Sequence, residues 1–245
     1  MIRTWLIALI FTAQSLWASP IDSLRFITED YPPFNYEGDR GELQGYAVEI
    51  AQAIFDRMQS RQSVESIELL PWARGYDLAL TQPDVVLFST TRTPAREALF
   101  QWVGPIAPSR VVLLAKTDRA IEIAQPEAIE RYRIGVIRED IGHQRLLELG
   151  VSPDRLVIAA SNTEAAQLIE RDRVDLWAYG EYVGYWLLEE LGYNPNDYAP
   201  VYTLSESHYY FAISQKSDPA IARAMQAALD GLKADGTVER ILQDR

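Results

Sequence analysis

The sequence predicts an α/β fold in which parallel strands are covered by helices. Short apolar runs, which suit buried strands, alternate with segments whose apolar residues recur at helical spacing. This alternation occurs once before and once after a stretch that contains proline and glycine, residues 104–108. Alternating strands and helices are typical of parallel sheets. With 245 residues, 48% of them hydrophobic, the chain suffices for one large domain or two smaller ones.

The first 18 residues lie outside this alternation. Arg3 supplies a short positive region, residues 4–17 are largely apolar, and Leu16-Trp17-Ala18 offers a cleavage site after Ala18. This organisation is typical of a secretory signal peptide. The alternative, an uncleaved membrane anchor, is disfavoured because the apolar run is short for a membrane span. We therefore predict export to the periplasm with a signal peptide at residues 1–18.

The first block opens with an alternating strand at residues 24–28, followed by a loop that contains two prolines. Tyr31 and Phe34 lie on this loop. They suit either packing of the loop or the aromatic wall of a ligand cleft, and their place directly after a first strand favours the cleft. Helical spacing then predicts a helix at residues 45–55.

A second strand is predicted at residues 66–70, followed by a turn that carries Trp72 and a helix through residues 78–80. A third strand at residues 85–88 completes a βαβαβ pattern. This pattern predicts a parallel sheet at the start of the mature chain.

The third strand runs into the segment that carries the strongest chemical signal. Ser89 and Thr91 belong to a hydroxyl-rich cluster, Pro94 suits the first turn of a helix, and Arg96 follows. Hydroxyl groups and free N–H groups at a helix N-terminus attract anions, and arginine holds a carboxylate with two parallel hydrogen bonds. The segment therefore predicts a carboxylate site that includes Arg96.

The second block repeats the arrangement of strands and helices without repeating the sequence. Further strands are predicted at residues 109–116, 133–137, 156–160, 174–178 and 209–214, and further helices at residues 143–149, 161–170, 185–188 and 219–242. Ser161 and Glu164 have the spacing of a capping box at a helix start. Asp218 and Pro219 mark the start of the last helical region.

Composition excludes several classes of function. A formal charge of −12 repels nucleic acid phosphates. The chain has no cysteine and only two histidines, so disulfides, thiol catalysis and zinc sites of the usual kinds are not expected. We expect no cofactor and no metal.

Several segments, in this order, resemble the periplasmic solute-binding proteins of family 3, the amino-acid-binding partners of ABC importers. They are residues 31–34 (YPPF), 45–46 (GY), 89–96 (STTRTPAR), 102–106 (WVGPI), 134–136 (IGV) and 234–237 (ADGT). The resemblance implies a type II periplasmic binding fold with two lobes, each a mostly parallel sheet flanked by helices, joined by two hinge strands. Lobe 1 is expected at residues 19–107 and 207–245, and lobe 2 at residues 108–206.

The resemblance also implies functional roles. A monomer would capture a small carboxylate-bearing solute, an amino acid or related compound, by lobe closure and deliver it to an ABC permease. Arg96 would grip the carboxylate, with Ser89 and Thr91 contacting the carboxylate and ammonium groups. Trp72 falls near a position that forms an apolar or aromatic wall.

Two departures from the family pattern concern the ammonium group of an amino acid. Family members carry an aspartate for this group where Gly180 stands here, with Glu181 next to it. The lobe 2 turn, usually glycine followed by threonine or serine, is Glu139-Asp140. The usual contact to the ammonium group is therefore either replaced by Asp140 or Glu181 or absent. The alternative function is an enzyme similar to the periplasmic cyclohexadienyl dehydratases. There Glu181 or Asp140 would act as general acid, and Arg96 would hold the substrate carboxylate.

Overall fold

The computed structural model describes residues 19–243, and the predicted signal peptide lies outside these described residues. The strands are β1 (Arg25–Thr28), β2 (Tyr36–Glu37), β3 (Leu43–Gln44), β4 (Glu68–Leu69), β5 (Val85–Thr91), β6 (Phe100–Val103), β7 (Pro108–Lys116), β8 (Ile134–Ile137), β9 (Leu156–Ala159), β10 (Leu176–Gly180) and β11 (Tyr198–Ser214). The α-helices are α1 (Tyr46–Arg57), α2 (Trp72–Thr81), α3 (Ile141–Glu148), α4 (Asn162–Glu170), α5 (Glu181–Glu190), α6 (Pro219–Ala234) and α7 (Thr237–Gln243).

The strands form two sheet regions that one long strand connects. The order across the sheet is β4-β1-β5-β11-β7-β10-β8-β9, with β6 also paired to β11. On one side β1 runs parallel to β4 and β5, and on the other β8 runs parallel to β9 and β10. We call the side with β1, β4, β5 and β6 lobe 1, and the side with β7 to β10 lobe 2. The predicted α/β class with mostly parallel sheets is confirmed.

Strand β11 passes from one lobe to the other. Its residues from Tyr198 to His208 pair with β7 of lobe 2, and from Tyr209 onward it pairs with β5 and β6 of lobe 1. The other crossing is the short segment 104–107 between β6 and β7. The change of partner within β11 therefore lies between His208 and Tyr209.

Apolar residues at helical spacing bury one face of each covering helix. In α1 the residues Val48, Ala51, Ile54 and Phe55 are buried, as their spacing predicts. The ring of Phe55 meets that of Phe26 from β1 edge to face, with 4.7 Å between the ring centroids. Each buried side chain of this size contributes about 1.5–3 kcal/mol, so this packing holds α1 on the lobe 1 sheet.

Local capping signals also determine where helices start. The Ser161 hydroxyl accepts a hydrogen bond from the Glu164 N–H at 3.1 Å, and the Glu164 carboxylate accepts one from the Ala160 N–H at 2.6 Å. The Asp218 carboxylate accepts one from the Ala220 N–H at 2.8 Å before α6. Both predicted helix starts are confirmed.

Three local predictions are wrong. The helix expected to begin at Pro94 is absent: residues 93–96 form a turn closed by a hydrogen bond from the Arg96 N–H to the Thr93 carbonyl, and Glu97–Leu99 form a short 3₁₀ segment. Trp72 is the first residue of α2 rather than part of a turn. Strand β11 begins at Tyr198, eleven residues before the strand predicted at 209, because its pairing with β7 organises residues that lack a strong strand pattern.

Within residues 19–243, no helix combines the length and the apolar composition needed to cross a membrane.

Candidate functional site

The lobes face each other across a cavity of about 610 Å³. Its walls come from the carboxyl ends of β1, β4, β8 and β9 and from the starts of α2 and α4. Polar lining groups include Glu29 and Asp30 from lobe 1 and Arg138, Ser161 and Asn162 from lobe 2. Ligands of α/β proteins bind at this end of parallel strands, so the cavity is the candidate binding cleft.

Strand β5 is distorted just before the segment that carries Arg96. Ser89 has a φ of 58°, and the pairing of β5 with β11 shifts register nearby, between Tyr210 and Ala212. Such bulges bend a strand and redirect the side chains that follow. The Ser89 hydroxyl donates a short hydrogen bond to the Asn35 side chain, which ties this bend to the loop after β1.

Arg96 lies between the lobes and is only 1% exposed. Its Nε donates to the side-chain oxygen of Gln144 at 2.9 Å, and its Nη2 donates to the carbonyl of Glu139 at 3.2 Å, both in lobe 2. Its Nη1 donates to the carbonyl of Thr91 at 3.3 Å. The guanidinium also lies over the rings of two aromatic residues, 5.3 Å from that of Trp72 and 5.0 Å from that of Tyr76.

The charge of Arg96 is left without a direct anionic partner. None of the ion pairs in the described part of the chain includes it. Burial lowers its pKa, yet a guanidinium keeps its proton in proteins. Three of its five N–H donors are used, so two remain. A buried cation with two free donors suits a carboxylate.

Trp72 and Thr91 complete the surroundings of Arg96. The Trp72 ring is 4% exposed and lines the cavity, and its indole N–H has no hydrogen-bond partner. The Thr91 hydroxyl shares a hydrogen bond of 3.1 Å with Ser109. Trp72, which was predicted as a wall residue, therefore has a free N–H donor. The hydroxyls of Thr91 and Ser89 are already hydrogen-bonded within the protein.

Tyr31 and Phe34 pack between the lobes and do not line the cavity. The Tyr31 and Tyr209 hydroxyls share a hydrogen bond of 3.0 Å, and the ring of Tyr31 meets that of Tyr179 edge to face at 5.5 Å. The ring of Phe34 lies 4.8 Å from that of Tyr209. Of the two interpretations of these aromatics, the structure supports packing.

Glu29 belongs to the cleft and was not predicted from the sequence. It follows β1 directly, is 8% exposed and lines the cavity. Burial raises its pKa well above the ordinary value, the charge of Asp140 adds to this, and Arg96 opposes it. The available signal was an acidic residue at the carboxyl end of the first parallel strand. That signal does not show whether the side chain points inward.

The two carboxylates proposed for the ammonium group lie in different places. Asp140 precedes α3, is 8% exposed, and follows Glu139, whose carbonyl accepts a hydrogen bond from Arg96. Burial raises the pKa of Asp140, and the charge of Arg96 opposes the shift. Glu181 forms a close ion pair with Arg110 and lines a separate cavity of about 400 Å³. The structure therefore brings Asp140, but not Glu181, toward the cleft.

The turn before Asp140 has an unusual backbone. Glu139 adopts a φ of 60°, a left-handed conformation that glycine adopts most easily. Its carbonyl accepts a hydrogen bond from Arg96. The turn therefore keeps a geometry typical of glycine without a glycine, and contributes a backbone acceptor to the closed cleft.

Comparisons with known proteins agree with this architecture. Residues 24–244 match the sequence profile of the bacterial extracellular solute-binding proteins, family 3. The ABC transporter arginine-binding protein 1 of Escherichia coli (strain K12) is 24% identical, with 96% of this chain and 95% of that protein covered.

Two solved structures share the fold. An ancestral arginine-binding protein bound to arginine superposes with a TM-score of 0.75 at 20% identity, covering 90% of this chain and 96% of that one. The ancestral amino acid-binding protein AncCDT-1, a precursor of cyclohexadienyl dehydratase, superposes with a TM-score of 0.72 at 21% identity, covering 93% and 99%.

Proposed function

Because the chain belongs to the bacterial extracellular solute-binding proteins, family 3, we propose that it captures a small carboxylate-bearing solute, an amino acid or a related compound, for an ABC importer. The observation that carries this proposal is the buried, unpaired guanidinium of Arg96 between the lobes. A solute carboxylate would accept hydrogen bonds from the two remaining N–H groups of Arg96. The arginine-binding relative supports an amino acid as the solute.

Lobe closure is the proposed mechanism of capture. The lobes already touch through Arg96 and Gln144, and through the Asn162 side chain, which donates to the Asp30 carbonyl at 2.5 Å. Among residues 19–243, only the segment 104–107 and strand β11 connect the lobes covalently. Two such crossings suit hinge motion, in which a few residues absorb the change between open and closed forms.

Export, partner and oligomeric state complete the proposal. Residues 1–18 would direct the chain to the periplasm and be removed. The closed protein would dock on an ABC permease as a monomer. The acidic composition supports a freely diffusing protein, because a large net charge disfavours self-association.

A thermal-shift screen against amino acids, small carboxylates and aromatic acids tests this function. A solute present at about 100 times its dissociation constant adds about 2.7 kcal/mol of stability. We expect at least one carboxylate to raise the melting temperature of the wild type and to lose this effect in an Arg96→Lys variant. Equal stabilisation of the two proteins would contradict the role of Arg96.

One observation favours the second candidate function, an enzyme on the same scaffold. The raised pKa of buried Glu29 favours the protonated carboxyl that acid catalysis requires, and the charge of Arg96, which would hold a substrate carboxylate, acts on it. The likeness to AncCDT-1 concerns the fold alone. Incubation of the purified protein with prephenate tests this candidate: consumption above the rate of a Glu29→Gln variant would support it, and equal rates would exclude it.

A further inference from the structure

We propose that Glu29 and Asp140 together bind the ammonium group of the solute, one from each lobe. This inference rests on the proposed function, since it concerns the same cleft. It makes the solute a zwitterion, with its carboxylate on Arg96 and its ammonium group between the two acids. It also assigns Glu29, which follows β1, as a determinant of specificity.

The first argument is geometric. Glu29 leaves the carboxyl end of β1 in lobe 1, and Asp140 leaves that of β8 in lobe 2. Both side chains are nearly buried, and Glu29 lines the cavity. Neither carboxylate takes part in an ion pair within residues 19–243. The two acids therefore come from strand ends in different lobes.

A second, independent observation indicates a missing ligand. The hydroxyl of Tyr179 is buried and has no hydrogen-bond partner, and the residue as a whole is only 1% exposed. Tyr179 follows Ala178, which packs closely against Gly142 near Asp140. Burial raises the pKa of Tyr179, and the charges of Glu29 and Asp140 raise it further. Buried polar atoms in proteins are nearly always bonded. An ammonium group, which donates three hydrogen bonds, would serve Tyr179 together with the two acids.

Charge balance gives the third argument. Glu29, Asp140 and Arg96 are all nearly buried, and buried charges are costly unless they are paired. A zwitterion supplies one anion for Arg96 and one cation for the acids. In the form without solute, burial and then the charge of Asp140 raise the pKa of Glu29 well above the ordinary value, which favours its neutral form.

Other positions do not supply the ammonium site. Glu181 is held by Arg110. A side chain at Gly180 would overlap the hydroxyl of Tyr31, so the end of β10 offers no acid to the cleft. Four groups shift the pKa of Glu29 through their charge or a hydrogen bond, and Glu29 in turn raises the pKa of two tyrosines. These groups are Asp30, Arg96, Asp140 and Asn162, and the tyrosines are Tyr179 and Tyr209. Arg96 is the cation among these groups and faces the proposed carboxylate, and a second cation, Arg138, lines the cavity at the end of β8.

Matched pairs of compounds test the requirement for the ammonium group. L-Arginine, L-phenylalanine and L-glutamate are each compared by thermal shift with the acid in which a hydroxyl replaces the α-ammonium group. We expect stabilisation by at least one amino acid and by none of the hydroxy acids. A hydroxy acid that stabilises as well as its amino acid would overturn the inference but leave the proposed function standing. Stabilisation by no compound would contradict both.

Proton release gives a second readout that distinguishes Glu29 from a purely structural residue. Titration calorimetry of the stabilising amino acid in two buffers of different ionisation enthalpy measures the protons released. We expect about one proton from the wild type and none from Glu29→Gln, whose affinity falls roughly 30-fold or more. Glu190→Gln, which changes an exposed carboxylate on α5, should behave as the wild type. Equal proton release from wild type and Glu29→Gln would overturn the assignment.

Discussion

The hydroxyl of Tyr31 in lobe 1 fills the space in lobe 2 where a side chain on Gly180 would begin. The same hydroxyl shares a hydrogen bond with Tyr209. Closure of the lobes therefore requires residue 180 to lack a side chain. The resemblance to the family implies an aspartate at position 180. Here the Tyr31 hydroxyl fills the space that such a side chain would need.

We expect Gly180→Ala to hold the lobes apart. Gly180 has a φ of −61°, so alanine adds no backbone strain, and overpacking by one methyl group costs about 1–3 kcal/mol. Small-angle X-ray scattering of the solute-free protein should show a larger radius of gyration for the variant. Adding Tyr31→Phe should reverse this, because the next contacts of the new Cβ lie at 3.3 and 3.4 Å. Identical scattering of wild type and Gly180→Ala would contradict the steric argument.

Replacing Arg96 by lysine should abolish most solute binding. Lysine keeps the charge but cannot make two parallel hydrogen bonds to a carboxylate. Removing one partner of a buried charged pair costs about 2–5 kcal/mol, or roughly 30-fold to several thousand-fold in affinity. Calorimetry with the solute found by thermal shift measures this loss. The control is Arg92→Lys, since Arg92 is half-buried and paired with Glu97 at 2.8 Å, and it should bind as the wild type does.

Replacing Glu181 by glutamine should leave solute affinity unchanged. Its carboxylate is paired with Arg110 and lines the separate cavity of about 400 Å³. Its charge should therefore have no effect on binding in the cleft. Isothermal titration of this variant beside Glu29→Gln separates the two acids. A large loss of affinity in Glu181→Gln would mean that the ammonium site lies at the end of β10 after all.

The buried carboxyl of Glu29 should make the protein less stable as the pH rises. Its pKa in the folded protein lies well above the ordinary value of 4.5, so the folded form binds the proton more tightly than the unfolded form. The stabilisation that follows from this tighter proton binding is complete below pH 4.5 and is lost as the pH rises through the folded pKa. Over that range the free energy of unfolding falls by up to about 1.4 kcal/mol per pH unit. Urea denaturation of the solute-free protein across this range should show a flatter dependence for Glu29→Gln. Parallel curves for the two proteins would contradict this prediction.

Removing the cap of α6 should lower stability modestly. The Asp218 carboxylate accepts a hydrogen bond from the Ala220 N–H, and loss of such a cap costs about 1 kcal/mol. Urea denaturation followed by circular dichroism should show this loss for Asp218→Ala. For Asp77→Ala, an exposed residue within α2, the change should stay within about 0.5 kcal/mol. Similar values for the two variants would show that the cap does not contribute.

Local signals predicted much of the fold because their causes lie within a few residues. The buried face of α1 follows from the spacing of its own apolar residues. The start of α4 follows from Ser161 and Glu164, which bond to backbone N–H groups nearby. The turn at residues 93–96 was not predicted, because Arg96 is held by distant groups in Gln144 and Glu139 rather than by a helix of its own.

The candidate site, too, was predicted only in part from the sequence. The sequence by itself determined the α/β class, the order of the elements and the presence of an arginine in a hydroxyl-rich segment. It offered Asp140 and Glu181 as acids near strand ends, and it gave no means of ranking them against Glu29. Only the tertiary structure decided that Glu29 and Asp140 face Arg96 while Glu181 pairs with Arg110. The physical reason is that burial and charge at a side chain depend on neighbours far away in the chain, which come together only when the two lobes close.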